Sequence, residues 1–230
     1  MRVLRLVFAA AGLGVCIALA GGLRAVISSN MMSVYRDAVN SAEKKRFAPA
    51  LARLEAILLT NPVTIGVDTS SIPEQSGELE GSVRDAVRIW NEALPDSPFV
   101  EARQGQKPMV VVKFVRTMSD LPTAQGDIQA QRDFYWGRKE YSYGISATIR
   151  VVYRTGRRNV TGEEASGIVA HEMGHLVGLD DVAQDSGLMG YFVPGRAKVE
   201  VDPDEVRAVS DFRDLVKSRI EDYRRLFAQS

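Results

Sequence analysis

The sequence predicts an α/β fold, and two features of the chain indicate it. Short segments rich in β-branched residues alternate with longer segments whose apolar residues recur at helical spacing. The composition is that of an ordinary globular protein, with 45% hydrophobic and 25% charged residues. A chain of 230 residues favours one domain of ordinary size with appendages.

The charge balance narrows the choice of partners. Lysine and arginine together number 29, aspartate and glutamate also number 29, and the formal net charge is therefore zero. Proteins that bind nucleic acid or an anionic membrane surface generally carry a basic excess. We therefore expect no nucleic-acid partner, and contact with a membrane only through the N-terminal segment.

The N-terminal segment has the pattern of an export signal. Arg2 and Arg5 precede an apolar run over residues 6–23 that contains no charged residue. A charged start, an apolar run and a small-residue cleavage site are together typical of a secretory signal. We therefore expect the folded part of the chain outside the cytoplasm, as a secreted or periplasmic protein.

Two alanines predict where this signal is removed. Ala18 and Ala20 flank Leu19 in the small-x-small pattern of a cleavage site, which predicts a signal peptide over residues 1–20. The alternative is an uncleaved membrane anchor over residues 6–23, because that run is nearly long enough to span a bilayer. The sequence leaves both possibilities open.

Cys16 is the only cysteine, and it lies inside this signal. The mature chain is therefore expected to contain no disulfide bond and no thiolate metal ligand. Its stability must then come from a packed core.

A helical region is predicted between the signal and the first strand. Tyr35, Ala38 and Ala42 fall on one helix face, and Pro49 is predicted to open a second helix. Residues 21–60 are either a helical pro-segment or an N-terminal extension that adds a helical layer, and the sequence does not decide between them. The main domain is predicted over the remaining residues, 61–230.

The main domain begins with alternating strands and helices. The strands are predicted from β-branched content and apolar alternation, and the helix from an amphipathic face that ends at Pro95. The predicted elements are a strand over 63–68, a loop over 69–82, a helix over 83–94, strands over 99–102 and 109–115, an edge strand with loops within 126–146, and a strand over 147–153.

Two capping boxes predict the starts of two further helices. Thr161 with Glu164 opens a helix that carries both histidines of the chain, and Asp202 with Glu205 opens the last helix. The apolar face of the last helix favours core packing over a partner surface. Its members are Val206, Val209, Phe212, Val216, Ile220 and Tyr223.

The sequence His171-Glu172-Met173-Gly174-His175 predicts a metal site. Residues four apart on a helix lie on the same face, so both imidazoles can be directed at one ion. Glu172 is next to the first histidine, and its carboxylate can therefore accept a proton from a water molecule at the metal and later deliver it to a leaving amine. The predicted cofactor is Zn²⁺.

The third ligand must be an oxygen, because the chain has two histidines and no cysteine beyond the signal. Gly178 can end the helix in a left-handed turn, and the Gly-x-x-Asp spacing from Gly178 favours Asp181 as the ligand. Asp180 is an alternative, with Asp181 then supporting it, and Glu200 or Glu205 would supply a more distant ligand. Two histidines and one carboxylate form a zinc site that is chemically competent for peptide hydrolysis.

The segment from His171 to Asp181 resembles the elongated zinc signature of the metzincin peptidases. Asp181 stands where most metzincins have a third histidine, and the snapalysin-like secreted peptidases also have aspartate there. Residues 186–191 resemble the Met-turn, in which a methionine, here Met189, underlies the metal. Tyr191 matches the tyrosine that contacts the zinc in astacins and serralysins.

The first helix and following strands of matrixin catalytic domains resemble residues 83–90, Pro95, Phe99 and residues 110–115, and the resemblance covers roughly residues 62–192. It implies a twisted mixed sheet with an active-site helix, a Met-turn and a C-terminal helix. It also implies a protein or peptide substrate that lies extended and pairs with the edge strand within 126–146, beside a wall formed by residues 191–194. The chain departs from matrixins in lacking the histidines of their structural zinc site and a pro-segment cysteine after Cys16.

Together these features predict an exported zinc-dependent endopeptidase. One alternative is a non-catalytic exported module that retains the fold and a structural zinc. Glu172 argues against it, since a structural site has no need of a carboxylate beside His171. A second alternative is an exported helical adaptor built on the helices at 33–60 and 203–226, which would bind no zinc.

Overall fold

The computed structural model describes residues 2–9, 26–68, 70, 76–121, 123–156, 158–183 and 187–229, and for residues 2–9 and 76 it describes the backbone alone. The predicted cleavage site after Ala20, and Cys16, lie outside the described residues. None of the described helices is long and apolar enough to cross a membrane.

Eight strands and five helices follow one another along the described chain. The strands are β1 (Arg2–Ala9), β2 (Val63–Asp68), β3 (Phe99–Glu101), β4 (Val110–Val115), β5 (Gly126–Trp136), β6 (Tyr141–Val152), β7 (Arg154–Thr155) and β8 (Arg158–Asn159). The helices are α1 (Ser29–Glu43), α2 (Phe47–Leu58), α3 (Ser76–Ala93), α4 (Gly162–Leu176) and α5 (Pro203–Ala228).

The main sheet is mixed and has five strands in the order β5-β6-β4-β2-β3. β5 and β6 are antiparallel, and the other three pairs are parallel. β1 adds a sixth strand outside β5, with Arg2 opposite Trp136 and Ala9 opposite Gln129. The predicted α/β fold class is confirmed at this level.

One face of the sheet is buried under the helices. Along β4 the buried residues alternate with more exposed ones, and Val112 lies opposite Ile149 of β6 on the buried face. Towards one end of β5, Ile128 joins the core formed with α3 and α4. Towards the other end, Phe134 joins a second core formed with α1, α2 and α5.

Three sequence predictions about element boundaries are wrong. α3 begins at Ser76, inside the predicted loop over 69–82, because Leu79 is buried on the same helix face as Val83. β6 begins at Tyr141 and not at Ala147, since its aromatic first half pairs with β5 along its whole length.

The third wrong boundary is the start of α2, which begins at Phe47 and not at Pro49. Proline fits here because the amide groups of the first helical turn have no partner inside the helix.

The predicted edge strand within 126–146 also differs in one respect. β5 is the outermost strand of the main sheet, but residues 129–136 are paired with β1. An export signal over residues 1–20 does not predict β pairing of residues 2–9.

Both predicted capping boxes are confirmed. The Thr161 side chain accepts from the Glu164 amide while Glu164 accepts from the Thr161 amide, and Asp202 and Glu205 cap α5 in the same way. The predicted packing face of α5 is buried through Val209, Phe212, Val216 and Ile220.

Candidate metal centre

Hydrogen bonds from neighbouring elements hold helix α4, which carries both histidines, in position. At its start, the Glu164 carboxylate accepts two hydrogen bonds from Arg158, at 2.7 and 2.8 Å, and one from the Gly195 amide. In its middle, the Trp90 indole of α3 donates to the carbonyl of Ala170 at 2.8 Å, and at its end the Arg132 guanidinium of β5 donates to the carbonyl of Leu176 at 2.8 Å. Residues 171–175 therefore lie on a helix whose position is set by neighbouring elements.

The structure brings His171, His175 and Asp181 together. The Oδ1 atom of Asp181 lies 3.0 Å from Nε2 of His171 and 3.5 Å from Nε2 of His175. One ligand atom from each residue falls within 4.8 Å of the others. Ligands at the corners of a tetrahedral zinc site, with bonds near 2.0–2.1 Å, are about 3.3 Å apart, so the two distances from Asp181 fit the ion.

Hydrogen bonds at the other ring nitrogens select the tautomer of both histidines. Nδ1 of His171 lies 2.9 Å from the Leu188 carbonyl, and Nδ1 of His175 lies 2.9 Å from the Leu179 carbonyl. A carbonyl only accepts, so Nδ1 carries the proton in each ring. Nε2 is therefore the nitrogen of each ring that faces Asp181, and it can bind a metal when it carries no proton.

A sharp turn after α4 presents the carboxylate. Gly178 has a φ of +102°, a conformation that glycine adopts at little cost, and the chain reverses there. Asp181 belongs to the three-residue cluster and Asp180 does not. The Asp180 carboxylate instead accepts a hydrogen bond from the Asp181 amide at 3.1 Å, which supports the backbone of its neighbour.

The two more distant candidates for the third ligand lie elsewhere. Glu200 is exposed and lines a separate groove between α3 and the start of α4. Glu205 is only 3% exposed, and its carboxylate accepts hydrogen bonds from the amides of Leu188, Met189 and Asp202 at 3.1, 2.7 and 2.8 Å. Glu205 therefore holds the loop whose Leu188 carbonyl orients His171.

Replacing Glu205 with alanine is expected to lower the free energy of unfolding by about 3 kcal/mol, because several buried amides lose their acceptor. Since Glu205 acts on His171 only through the loop, zinc affinity should fall by at most about 10- to 100-fold. Thermal unfolding and zinc titration of the variant measure both effects. A stable variant that no longer binds zinc would instead make Glu205 a ligand.

Met189 packs directly beneath the motif. It is 1% exposed, and a side chain on Gly174 would overlap its sulfur atom. The Met189 carbonyl accepts a hydrogen bond from the Val182 amide at 3.0 Å, one residue after Asp181. The loop that carries Met189 therefore contacts both the helix and the segment that presents the carboxylate.

Glu172 lies in a confined environment beside the cluster. Its side chain is buried, and burial raises the pKa of its carboxyl above the usual range. Gly126, the first residue of β5, approaches so closely that a Cβ atom there would lie 2.6 Å from Oε1 of Glu172 and 2.6 Å from a methyl carbon of Ile168. The start of β5 is therefore one wall of the space around this carboxylate.

A cleft of about 250 Å³ opens over the cluster. Tyr191 lies at its rim with 64% of its surface exposed, and Phe192 lines it as well. The rest of the lining includes Thr123, Ala124, Gln125, Gly126, Ile168, His171, Glu172, Asp181 and Leu188.

Without a metal, hydrogen bonds between the two histidines and the Asp181 carboxylate hold the cluster together. Burial opposes protonation of the histidines, but the hydrogen bond to Asp181 and the Glu172 charge outweigh it, which raises the pKa of His171 and raises that of His175 to about 9. The same hydrogen bonds hold the pKa of Asp181 well below its usual range. A cation at this position would therefore replace protons on the two rings.

Sequence reasoning did not find the groups that orient the histidines. The acceptors are the backbone carbonyls of Leu179 and Leu188, which have no side-chain signature. Glu205 was identified as a helix cap, yet its contact with the loop depends on tertiary packing. Gly126 near Glu172 was not identified either, since the two are brought together only by the packing of β5 on α4.

No protein-family model matches this chain, and a search of curated proteins found no significant match.

Proposed function

We propose that this chain is an exported zinc-dependent endopeptidase of the metzincin type. The observation that carries the proposal is the convergence of His171, His175 and Asp181 at one point, with the buried carboxylate of Glu172 in the same cleft. The sequence signature and the Met189 loop beneath the helix support it. Peptide hydrolysis needs these groups together in a cleft that is open to an extended substrate.

The donor set suits zinc in number and in chemistry. Two imidazole nitrogens and one carboxylate oxygen are the ligand types of catalytic zinc sites, which leave a further position open. When bound, zinc would polarise the substrate carbonyl and acidify a water molecule. The carbonyls of Leu179 and Leu188 would keep both rings in the binding orientation.

Glu172 would act as the general base and then as the general acid. It would accept a proton during attack on the peptide carbonyl and donate one to the leaving amine. Burial raises the pKa of this carboxyl above its usual range, so it holds a proton more readily than an exposed glutamate does. Gly126 approaches the carboxylate so closely that no side chain could be placed between them.

The substrate would bind along β5 as an added strand. The start of β5 lies beside Glu172, while the outer edge of residues 129–136 is paired with β1. Removal of a signal over residues 1–20 would take β1 away and leave the amides and carbonyls of this edge unpaired. An extended peptide could then pair with them, with Tyr191 and Phe192 along the cleft.

This arrangement predicts that processing increases activity. A chain that begins at Gly21 should hydrolyse peptides at least about 10-fold faster than one that keeps residues 1–20, because strand addition requires an unpaired edge. Peptidase assays of both forms, with intact mass to verify each N-terminus, measure this. Equal activity would contradict binding along the residues that β1 covers. A native protein whose mass begins at Met1, in a membrane fraction, would favour the anchor.

Zinc binding is expected to involve one ion per chain and to strengthen as the pH rises to about 9. Zinc must displace the protons of His171 and His175, and the pKa of His175 is raised to about 9. With ordinary histidines the affinity would level off above about pH 7. Elemental analysis and zinc titrations across this range test the proposal. A zinc-free folded protein, or two tightly held ions, would contradict it.

A further inference from the structure

The segment between the predicted signal and the first helix contacts the loop that presents the third candidate ligand. Ile27 and Leu179 form an antiparallel bridge. The Ser28 amide donates to the Gly178 carbonyl at 2.8 Å, and the Asp180 amide donates to the Val26 carbonyl at 3.0 Å. The backbone of residues 26–28 is thus paired with that of residues 178–180.

The paired loop is also the one that organises the cluster. The Leu179 carbonyl accepts from Nδ1 of His175, and the Leu179 amide donates to the Gly174 carbonyl at 3.0 Å. Asp181 follows two residues later. The position of this short loop therefore affects two of the three candidate ligands.

Residues 26–28 are in turn held by the helix that follows them. Ser28 caps α1, and Met31 in its first turn is 3% exposed. The Met31 side chain packs over Gly178, where an added Cβ atom would lie 3.1 Å from its Cγ. Val34 and Ala38 continue this buried face into the core shared with α2 and α5.

The segment supports the site from behind and does not cover it. The described residues from 26 to 60 contribute nothing to the lining of the cleft over the cluster. A removable pro-segment that blocks a site would be expected in the cleft. Cutting this segment away would instead expose a buried helix face and break both hydrogen bonds to the loop.

We propose that residues 26–28 are a positioning segment for the loop at 178–181, and that α1 and α2 are a permanent part of the domain. The inference rests on the proposed function, because it assigns the segment to the same metal site. It decides between the two interpretations of residues 21–60 in favour of a retained extension.

Ser28→Pro tests the hydrogen bond to Gly178 directly. Ser28 has a φ of −60°, which proline adopts, and Ile27 is paired as a strand residue, which suits the position before proline. Proline removes the amide that donates to Gly178 and also the capping hydroxyl. Ser28→Ala is the matched control, because it removes the hydroxyl and keeps the amide.

Ser28→Pro should bind zinc about 10-fold more weakly than Ser28→Ala in competition with a chelator, as expected for loss of a group that orients a ligand. Its Asp180 amide should exchange with solvent faster than that of Ser28→Ala. Equal zinc affinity together with equal exchange would overturn the proposal.

A measurement on the unmodified chain keeps the test independent of how the proline variant folds. The Asp180 amide should be protected from exchange in the zinc-free protein, and an unprotected amide would overturn the positioning role. Active protein whose mass shows an N-terminus beyond residue 60 would overturn the retained extension. A wild-type chain that binds no zinc would contradict the proposed function, while the exchange comparison would still decide the positioning role.

Discussion

Glu172→Gln is expected to reduce peptide hydrolysis by about 100-fold or more while leaving zinc bound. Glutamine keeps the shape of this buried side chain, which Gly126 approaches closely, but cannot accept the proton. The three candidate ligands are untouched, so the metal content should stay at one ion per chain. Steady-state hydrolysis and elemental analysis of the same preparation measure both quantities.

Glu163→Gln is the matched control for this variant. Glu163 precedes Glu164 in the first turn of the same helix and is exposed, so the same chemical change should leave both activity and zinc content near the wild-type values. Near-normal turnover in Glu172→Gln would show that the assigned base is wrong. If the two variants had the same activity, an effect of Glu172→Gln could not be assigned to loss of the catalytic base.

Asp181→Ala is expected to weaken zinc binding by more than about 100-fold, because it removes a carboxylate that lies within 3.5 Å of both imidazole nitrogens. Asp180→Ala should cost no more than about 10- to 100-fold, since Asp180 only supports the Asp181 amide. Zinc retention against a chelator compares the two variants directly. Asp181→His should still bind zinc if the longer side chain fits, because it restores the ligand set of most metzincins.

The outcomes of this series separate the candidate ligands. Loss of zinc in Asp180→Ala with retention in Asp181→Ala would identify Asp180, and not Asp181, as the third ligand. Retention in both would move the third ligand elsewhere in the chain. The Glu205 carboxylate accepts hydrogen bonds from three backbone amides. If Glu205 were the third ligand, the loop at 188–189 would therefore have to rearrange.

The local part of the site could be predicted from the sequence. The spacing of His171 and His175 places both rings on one helix face, and the pair Thr161 and Glu164 indicates where that helix begins. These inferences need only the geometry of a single helix. The same is true of the turn at Gly178, whose φ is positive.

The supporting part could not be predicted, because it depends on segments far apart in the chain. Residues 26–28 pair with the loop that carries Asp180 and Asp181, and the sequence contains no sign of that pairing. The contact of Gly126 with Glu172 has the same origin. β6 was predicted too short because the polar and aromatic residues 141–146 obscure the alternation of a strand.

Digestion of casein by the processed chain tests the central claim most directly, with one preparation compared in three states. The protein is assayed loaded with zinc, stripped by a chelator, and supplied with zinc again. The proposed function predicts hydrolysis in the first state, loss in the second and recovery in the third. Hydrolysis that survives complete removal of zinc, or a folded and zinc-loaded chain that cleaves nothing, would contradict it.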